Sequence, residues 1–351
     1  MGLGCKKESP TKIEPPLVDS LIRGIDASFY SESQKAGISY KDENGNTVDF
    51  LNFVREKGVN TVRIRIWHKP SGRFSSLEDV KALSKLVREK GLKVWLCLHY
   101  SDWWADPANQ KTPAAWSNLS NSVLKDSLVN YTRMLVREIQ PDFIQTGNEI
   151  NGGFCWDQGR ISNEAYFFGL LKAANEAVAE ENPACKRLVH IAGYEQADWF
   201  FGKVASYQVP YDWIALSYYP YWHGKDPVRL KPALDALFAK YQKGIVLAET
   251  AYPFTLSWND WTNNSIGDSS QLSPGYPASL QGQKEMLKKI AELVYSSPGG
   301  RGFCYWAPEW VAFYGPQANT GSSWENQALF DFSNKAVPAW EAFNPNLKTQ
   351  N

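Results

Sequence analysis

Short apolar runs alternate with longer amphipathic segments along this chain from about residue 22 onward. The amphipathic segments have the period of a helix; the one after the fifth run is short, around residues 195–205, and VPAWEAF predicts a short closing helix. The apolar runs predict eight strands: IRGIDASF, NTVRIRIW, KVWLCLHY, FIQTGNE, RLVHIAG, WIALSYY, IVLAET and RGFCYWAP. This alternation predicts a single (β/α)8 barrel over residues 21–351, with a doubly wound sheet as the alternative.

Alternation within the strands predicts which side chains line the barrel, because successive side chains point to opposite faces. It turns Val246 and Ala248 of the seventh strand towards the helices and places Asn148 on the opposite face from Glu149. It directs inward a set of polar and aromatic residues: Asp26, Ser28, Arg63, Arg65, Trp67, Cys97, His99, Ser217, Tyr219, Leu247, Glu249 and Trp306. We expect these side chains to converge at one mouth.

Two of the predicted strands end in an acid, Glu149 in the fourth and Glu249 in the seventh. The carboxyl ends of the strands carry the catalytic groups of a (β/α)8 barrel, and strands four and seven face each other across it. Two carboxylates that flank a bond perform glycoside hydrolysis, with retention when they lie close and inversion when a water fits between them. Arg65 and Tyr219 are expected to favour the charged form of Glu249, whereas Glu149 has no cation beside it in sequence.

The amino-acid composition excludes some classes of function and favours others. The chain has 351 residues and zero formal net charge, so it shows no electrostatic footprint for nucleic acid. Its 15 Trp and 17 Tyr indicate either a large aromatic core or a cleft that stacks on the flat faces of sugars. The cysteines lack zinc spacing, and Cys97 and Cys304 are expected as buried thiols within strands. No apolar run is long enough to span a bilayer.

The first 20 residues form a separate segment, predicted to be a disordered leader or tether. Leu3-Gly4-Cys5 resembles the end of a bacterial lipoprotein signal, in which the cysteine becomes lipidated. This resemblance implies a lipid anchor at Cys5 and an extracytoplasmic location, either as a cell-surface or outer-membrane lipoprotein or as a secreted protein. The alternative is an unstructured leader with no anchor. We expect the protein to be a monomer.

Several segments together resemble family 53 of the glycoside hydrolases, the endo-β-1,4-galactanases, whose barrels are of the clan A type. They are GNEINGGFCW at 147–156, LAETAYPFT at 247–255, HYSDWWADPANQKTPAAW at 99–116, and FCYWAPEW and GSSWENQALFDF within 303–332. The resemblance extends from Gly24 to Phe343. It implies Glu149 as acid/base, Glu249 as nucleophile, and a polysaccharide substrate, the β-1,4-galactan of pectin.

The resemblance and the strand ends together suggest the substrate contacts. His99 is expected to bind a sugar hydroxyl, Trp306 to form a platform under the sugar, and one of Trp103 and Trp104 to face the sugar while the other is buried. The full set of expected contacts is Asp26, Arg65, His99, Ser101, Asp102, Trp103, Trp104, Asn148, Tyr219 and Trp306.

Two departures from the family pattern stand out. Ala307 occupies the position after the last strand's Trp where the family usually has an acid. Bacterial relatives hold a structural calcium ion at the loop after the seventh strand, which implies a calcium site here; the chemistry itself needs no cofactor. The candidate ligands are Asp260, Asn264, Ser322 and Glu325. Trp258 and Thr262 replace two expected ligands, so an ordinary solvated loop is the alternative.

Three functions therefore remain open on the sequence. The first is a retaining endo-hydrolase of β-1,4-galactan, an arabinogalactan endo-β-1,4-galactanase. The second keeps the mechanism but acts on another plant polysaccharide such as mannan or xylan. The third is a surface polysaccharide-binding barrel without activity, against which the presence of both acids argues. Separately, the alternative to a catalytic role for the two acids is that they are buried ion-pair partners of Arg63 and Arg65.

Overall fold

The computed structural model describes residues 21–347, so the leader with Cys5 lies outside the described residues and its lipidation stays a prediction. Eight parallel strands close into a barrel in the order in which they occur along the chain. The strands are β1 Ile22–Asp26, β2 Thr61–Ile66, β3 Lys93–Leu98, β4 Phe143–Thr146, β5 Lys186–Ala192, β6 Trp213–Ser217, β7 Gly244–Thr250 and β8 Gly300–Trp306. The predicted (β/α)8 barrel is confirmed.

Helices surround this barrel over the same residues. They are α1 Tyr30–Lys35, α2 Phe50–Glu56, α3 Leu77–Glu89, α4 Asn121–Ile139, α5 Glu164–Glu181, α6 Ala197–Ser206, α7 Pro220–His223, α8 Leu230–Tyr241 and α9 Leu280–Tyr295. The predicted closing helix is a 3-10 segment, Pro338–Phe343. None of the helices in the described stretch is long and apolar enough to cross a membrane.

Serine caps fix where the longer outer helices begin. The hydroxyls of Ser76, Ser120 and Ser279 accept backbone N–H bonds at the first turns of α3, α4 and α9. Each cap satisfies a donor that the helix leaves unpaired. The buried residues of these helices pack against the outward faces of the strands, in the larger of two apolar clusters. This layer holds the barrel, and with it the strand ends, in a fixed geometry.

The lower interior of the barrel is a small apolar layer that includes Val246 and Ala248. The prediction that these two face the helices and that Leu247 faces inward is wrong, since Leu247 packs in the outer cluster. Leu247 pairs with Leu216, but the next pair is Glu249 with Ser217. This irregularity omits Ala248 from the ladder and turns Glu249 inward against the alternation.

The end of β4 departs from a regular strand as well. The strand stops at Thr146, and both Gly147 (φ +102°) and Glu149 (φ +47°) adopt left-handed backbone conformations. Asn148 and Glu149 consequently both line the same cavity. The predicted separation of these two side chains onto opposite faces is therefore wrong. A Cβ at position 147 would lie 2.5 Å from Ile150 Cγ2, which makes glycine necessary there.

Candidate active site

A cavity of about 670 Å³ opens at the carboxyl ends of the strands. Glu149 at the end of β4 and Glu249 in β7 both line it, as the sequence predicted. The predicted contacts that line it with them are Asp26, Arg65, His99, Trp104, Asn148, Tyr219 and Trp306. The two acids therefore share one open space rather than lying on different surfaces.

The carboxylate of Glu249 is held by two donors. Oε1 lies 2.8 Å from Nη2 of Arg63, and Oε2 accepts a hydrogen bond of 2.9 Å from the Tyr219 hydroxyl. Burial raises the pKa of Glu249, and the Arg63 guanidinium and the Tyr219 bond act in the opposite direction. The contact with Tyr219 is the predicted one, but the cation is Arg63 and not Arg65.

Arg65 instead lies among aromatic rings in the wall of the cavity. Its guanidinium lies 4.1 Å from the ring centroids of Phe29 and of Trp104, and its Nε donates to Ser75 Oγ. The expectation that Arg65 favours the charged form of Glu249 is wrong. Both arginines face inward, but Arg65 lies two residues nearer the mouth of the barrel, among aromatic rings.

Glu149 lies in a different environment, without an arginine bond. Its Oε1 accepts a 2.5 Å hydrogen bond from Ser217 Oγ, which leaves Oε2 as the oxygen that can carry a proton. Burial and then the charge of Glu249 raise the pKa of Glu149 to about 8, with Ser217 and Arg63 opposing this. Because Glu249 is bound to Arg63 and Glu149 has no arginine bond, this arrangement favours the charge on Glu249 and the proton on Glu149.

A buried histidine stands behind Ser217. His190 Nδ1 lies 2.7 Å from Gln145 Nε2 and 3.3 Å from the backbone N–H of Glu149, and both of these atoms donate. Nδ1 therefore accepts, and the imidazole proton is on Nε2, 2.9 Å from Ser217 Oγ. Burial holds the pKa of His190 well below its usual value, so the ring is neutral. The chain from His190 through Ser217 orients the acid.

Aromatic rings form one side of the cavity. Trp306 lies edge-on to Trp324 with centroids 4.7 Å apart and 6.0 Å from Trp104. Phe29 stacks on Trp310 at 3.9 Å. These contacts hold the rings of Trp306, Trp310 and Trp324 as flat surfaces in the cavity wall, an arrangement suited to a sugar ring with one apolar face.

A sequence profile for glycosyl hydrolase family 53 matches residues 22–343, the whole of the barrel. The chain belongs to this family. The arabinogalactan endo-β-1,4-galactanase of Cellvibrio japonicus (strain Ueda107) is 34% identical over 91% of this chain and 89% of that protein. The endo-β-1,4-galactanase of Bacillus subtilis (strain 168) is 30% identical over 92% and 85%. The family 53 catalytic domain from Ignisphaera aggregans has a TM-score of 0.88 at 36% identity, covering 95% and 99%.

Within this family 53 barrel, three of the expected contacts lie outside the cavity that Glu149 and Glu249 line. Asp102 accepts backbone N–H bonds from Lys69 and Ala114, and the backbone carbonyl of the buried Ser101 accepts from His68. These two residues fix the loop after β3 and do not face the cavity. Trp103 lies 55% exposed on the same loop, beside a second cavity, whereas Trp104 is half-buried at both. The expectation that one of the two tryptophans is buried is therefore wrong.

Two polar residues in the cavity, Asp26 and Asn148, already form hydrogen bonds with other groups of the protein. Asp26 accepts from Ser28 Oγ and from Arg63 Nη1, and Asn148 Oδ1 accepts from Arg63 Nη2 at 2.7 Å while its Nδ2 donates to Ala105 O. Both hold Arg63 against Glu249. Their predicted contacts with sugar stay predictions. His99 differs, since its Nδ1 accepts from the Ala105 N–H and its Nε2 proton is thereby assigned to the cavity side of the ring.

Sequence reasoning missed four residues of this site. Arg63 and Ser217 were both predicted to face inward, but Arg63 had no role except as an ion-pair partner in the alternative interpretation, and Ser217 had none. His190 had a weak signal, a histidine within an otherwise apolar strand run. Glu309, two residues after the Ala307 departure from the family pattern, is fully buried, and its Oε1 accepts from the Phe29 N–H at 2.9 Å. Burial, and then Asp26, raises the pKa of Glu309 to about 8.

Three of the four candidate calcium ligands, Asp260, Ser322 and Glu325, are joined by hydrogen bonds at the loop after β7. Glu325 Oε1 accepts from the backbone N–H of Asn259 and Asp260, and the Asp260 carboxylate accepts from Thr262 and Ser322. Glu325 Oε2 and Asn264 Oδ1 are buried with no partner among residues 21–347. Over those residues no cluster of three or more His, Cys, Asp or Glu side chains is arranged for a metal. Unpartnered hard oxygens fit calcium, which also takes carbonyl ligands, better than a transition metal.

Proposed function

We propose that this family 53 protein is a retaining endo-β-1,4-galactanase in which Glu249 is the nucleophile and Glu149 the acid/base. Family membership and the names of its relatives support hydrolysis of β-1,4-galactan as the activity. The observation that carries the assignment of the residues is the shared cavity, in which Arg63 and Tyr219 bind one carboxylate and Ser217 the other. Two carboxyls with different proton affinities are what double displacement requires.

The proposed first step breaks the glycosidic bond. Glu249 attacks the anomeric carbon while the proton on Glu149 Oε2 passes to the departing oxygen, so that a galactosyl–Glu249 ester and a shortened chain result. Arg63 and Tyr219 orient the attacking carboxylate. The ester removes the charge on Glu249 that raises the pKa of Glu149. Glu149 is then a stronger acid, suited to its ionised role in the second step.

The proposed second step hydrolyses the ester. Glu149, now ionised, takes a proton from water, the resulting hydroxide equivalent attacks the anomeric carbon, and Glu249 leaves as a carboxylate. Two inversions give net retention. The Ser217–His190 chain holds Glu149 in one orientation through both steps, so that the same Oε2 first donates and then accepts the proton.

Digestion of galactan, mannan and xylan by the wild type, Glu149→Gln and Glu249→Gln tests the proposal. We expect new reducing ends from galactan with the wild type and a loss of at least about 10³-fold with either variant, because each removes an essential group. Cleavage of mannan or xylan in preference to galactan would mean that the enzyme uses the same mechanism on another polysaccharide. Binding of galactan without new reducing ends from the wild type would favour a non-catalytic barrel.

We also propose that the loop after β7 binds a structural calcium ion through Glu325, Asn264 and Asp260. The two unpartnered oxygens and the carboxylate of Asp260 supply the hard ligands. The ion would tie this loop to Ser322 and Glu325 beside the cavity and would take no part in bond cleavage. Its test is a melting temperature with and without a chelator, described with the other predictions below.

A further inference from the structure

Two loops at the carboxyl ends of the strands are joined by hydrogen bonds close to Glu149. One loop, residues 99–116, follows β3, and the other, residues 147–156, follows β4. Gln110 of the first loop is 1% exposed and contacts both ends of the second. Its backbone carbonyl accepts a 2.8 Å hydrogen bond from the Trp156 N–H. The side chain of Gln110 reaches the opposite end of that loop, where Glu149 lies.

The side-chain amide of Gln110 binds the backbone at Glu149. Its Nε2 donates to the carbonyl oxygen of Asn148 at 2.7 Å, and it lies 3.3 Å from the carbonyl oxygen of Glu149 and 3.1 Å from that of Asp106. Carbonyl oxygens only accept hydrogen bonds, so the amide must turn its NH2 group towards them and not its oxygen. The two protons of Nε2 are therefore shared among three acceptors, two of which belong to the end of β4.

The peptide group between Asn148 and Glu149 is held at both ends. Its carbonyl accepts from Gln110, and its N–H donates to His190 Nδ1 at 3.3 Å. This support matters because the φ of Glu149, +47°, is a left-handed conformation that is unfavourable for a residue with a side chain. Ser217 binds the carboxyl group separately. Gln110 and His190 thus fix the main chain of Glu149, and Ser217 fixes the end of its side chain.

We propose that Gln110 is a positioning residue for Glu149 in the cleavage of the glycosidic bond. This inference rests on the proposed function, in which Glu149 passes a proton to the departing oxygen. Proton transfer needs the donor and the acceptor within hydrogen-bond reach, and a misplacement of about 1 Å can lower a rate about 10²-fold. Gln110 fixes the backbone from which the Glu149 side chain extends, and so sets the direction in which Oε2 presents its proton.

The test compares two substrates that carry the same sugar and different leaving groups. Galactose leaves a β-1,4-galacto-oligosaccharide only with a proton from the acid, whereas 2,4-dinitrophenolate leaves a β-galactobioside without one. Gln110→Leu keeps the approximate size of the side chain and removes its donors. We expect it to lower kcat/KM about 10- to 100-fold on galactotetraose and less than about threefold on the dinitrophenyl galactobioside. A purely structural role would lower both values alike.

Thr112→Val is the matched control. The Thr112 hydroxyl donates to the Trp156 carbonyl, so this variant breaks a bond between the same two loops at the end remote from Glu149. Any loss of kcat/KM in it should be equal on the two substrates. Gln110→Glu is a second variant should Gln110→Leu not fold. It keeps the shape of the side chain but replaces the NH2 donor with a carboxylate oxygen, and it should show the same preferential loss on galactotetraose.

An equal loss on both substrates in the Gln110 variants, or no loss on either, would overturn the proposal. Glu149→Gln distinguishes that outcome from a failure of the proposed function. If Glu149→Gln loses activity equally on both substrates, the assignment of Glu149 as the acid fails. If Glu149→Gln loses preferentially on galactotetraose and the Gln110 variants do not, only the role of Gln110 fails.

Discussion

The hydrogen bond from Ser217 to Glu149 has a measurable effect on the pH dependence of activity. The hydroxyl stabilises the ionised carboxylate at 2.5 Å, and it opposes the burial that raises the pKa of Glu149 to about 8. A hydrogen bond to a charged group is worth about 1.5–3 kcal/mol, and one pKa unit corresponds to about 1.4 kcal/mol. Ser217→Ala should therefore raise the pKa of Glu149 by about one to two units.

The assay is the pH profile of kcat/KM on galacto-oligosaccharides, which reports the ionisations of the free enzyme. In the proposed mechanism Glu149 must be protonated for the first step, so its pKa should set the basic limb of the profile. This limb should move to higher pH in Ser217→Ala. Ser217→Thr keeps the hydroxyl and should leave the limb in place. A basic limb that stays or moves to lower pH in the alanine variant would refute the reasoning, even if the rate falls.

Three further predictions follow from other contacts of the site. Arg63→Lys keeps a positive charge but loses the forked contacts to Glu249, Asp26 and Asn148, so kcat/KM should fall by at least about 10²-fold while the circular dichroism spectrum stays native. Calcium should raise the melting temperature and a chelator should lower it; in Glu325→Gln neither should have an effect, and equal responses of the two proteins would exclude this loop as the site. The pKa of Glu309 is about 8 in the folded state and about 4.3 in the unfolded state, so the proton on Glu309 stabilises the fold. This stabilisation is complete below the unfolded-state pKa and is lost as the pH rises towards 8. Between these two values the free energy of unfolding, measured in urea, should therefore decline less in Glu309→Gln than in the wild type.

The periodicity of apolar residues along the chain was enough to predict the fold and the positions of Glu149 and Glu249. The alternation of apolar runs and amphipathic segments is a direct consequence of packing helices around a parallel barrel, so eight strands and the two strand-end glutamates were predictable. The inward direction of Arg63 and Tyr219 followed from the same alternation. The contact of Tyr219 with Glu249 was predicted, but the cation was not, because alternation fixes the face on which a side chain lies and not its distance from the mouth of the barrel.

Local irregularities were not predictable from the pattern. The shift in pairing at Ala248 and the left-handed backbone at Gly147 and Glu149 both break the two-residue period on which the prediction for these strands relied. Both occur beside the proposed catalytic glutamates. The turn after β4 brings Asn148 into the cavity, where alternation had not placed it, and the shift in β7 leaves Glu249 inward although Leu247 faces outward. His190 was missed because a histidine in an apolar strand is equally consistent with a structural role, and only its contacts with Ser217 and Gln145 give it one at the site.

In the proposed mechanism Glu249 forms a covalent bond to the sugar while Glu149 acts as the acid. The most direct measurement is mass spectrometry of peptides from protein incubated with an activated 2-deoxy-2-fluoro galacto-oligosaccharide, which slows release of the intermediate. We expect a single glycosyl adduct on the peptide that contains Glu249, and no adduct in Glu249→Gln. An adduct on another residue, or unlabelled protein while the reagent is turned over, would contradict it.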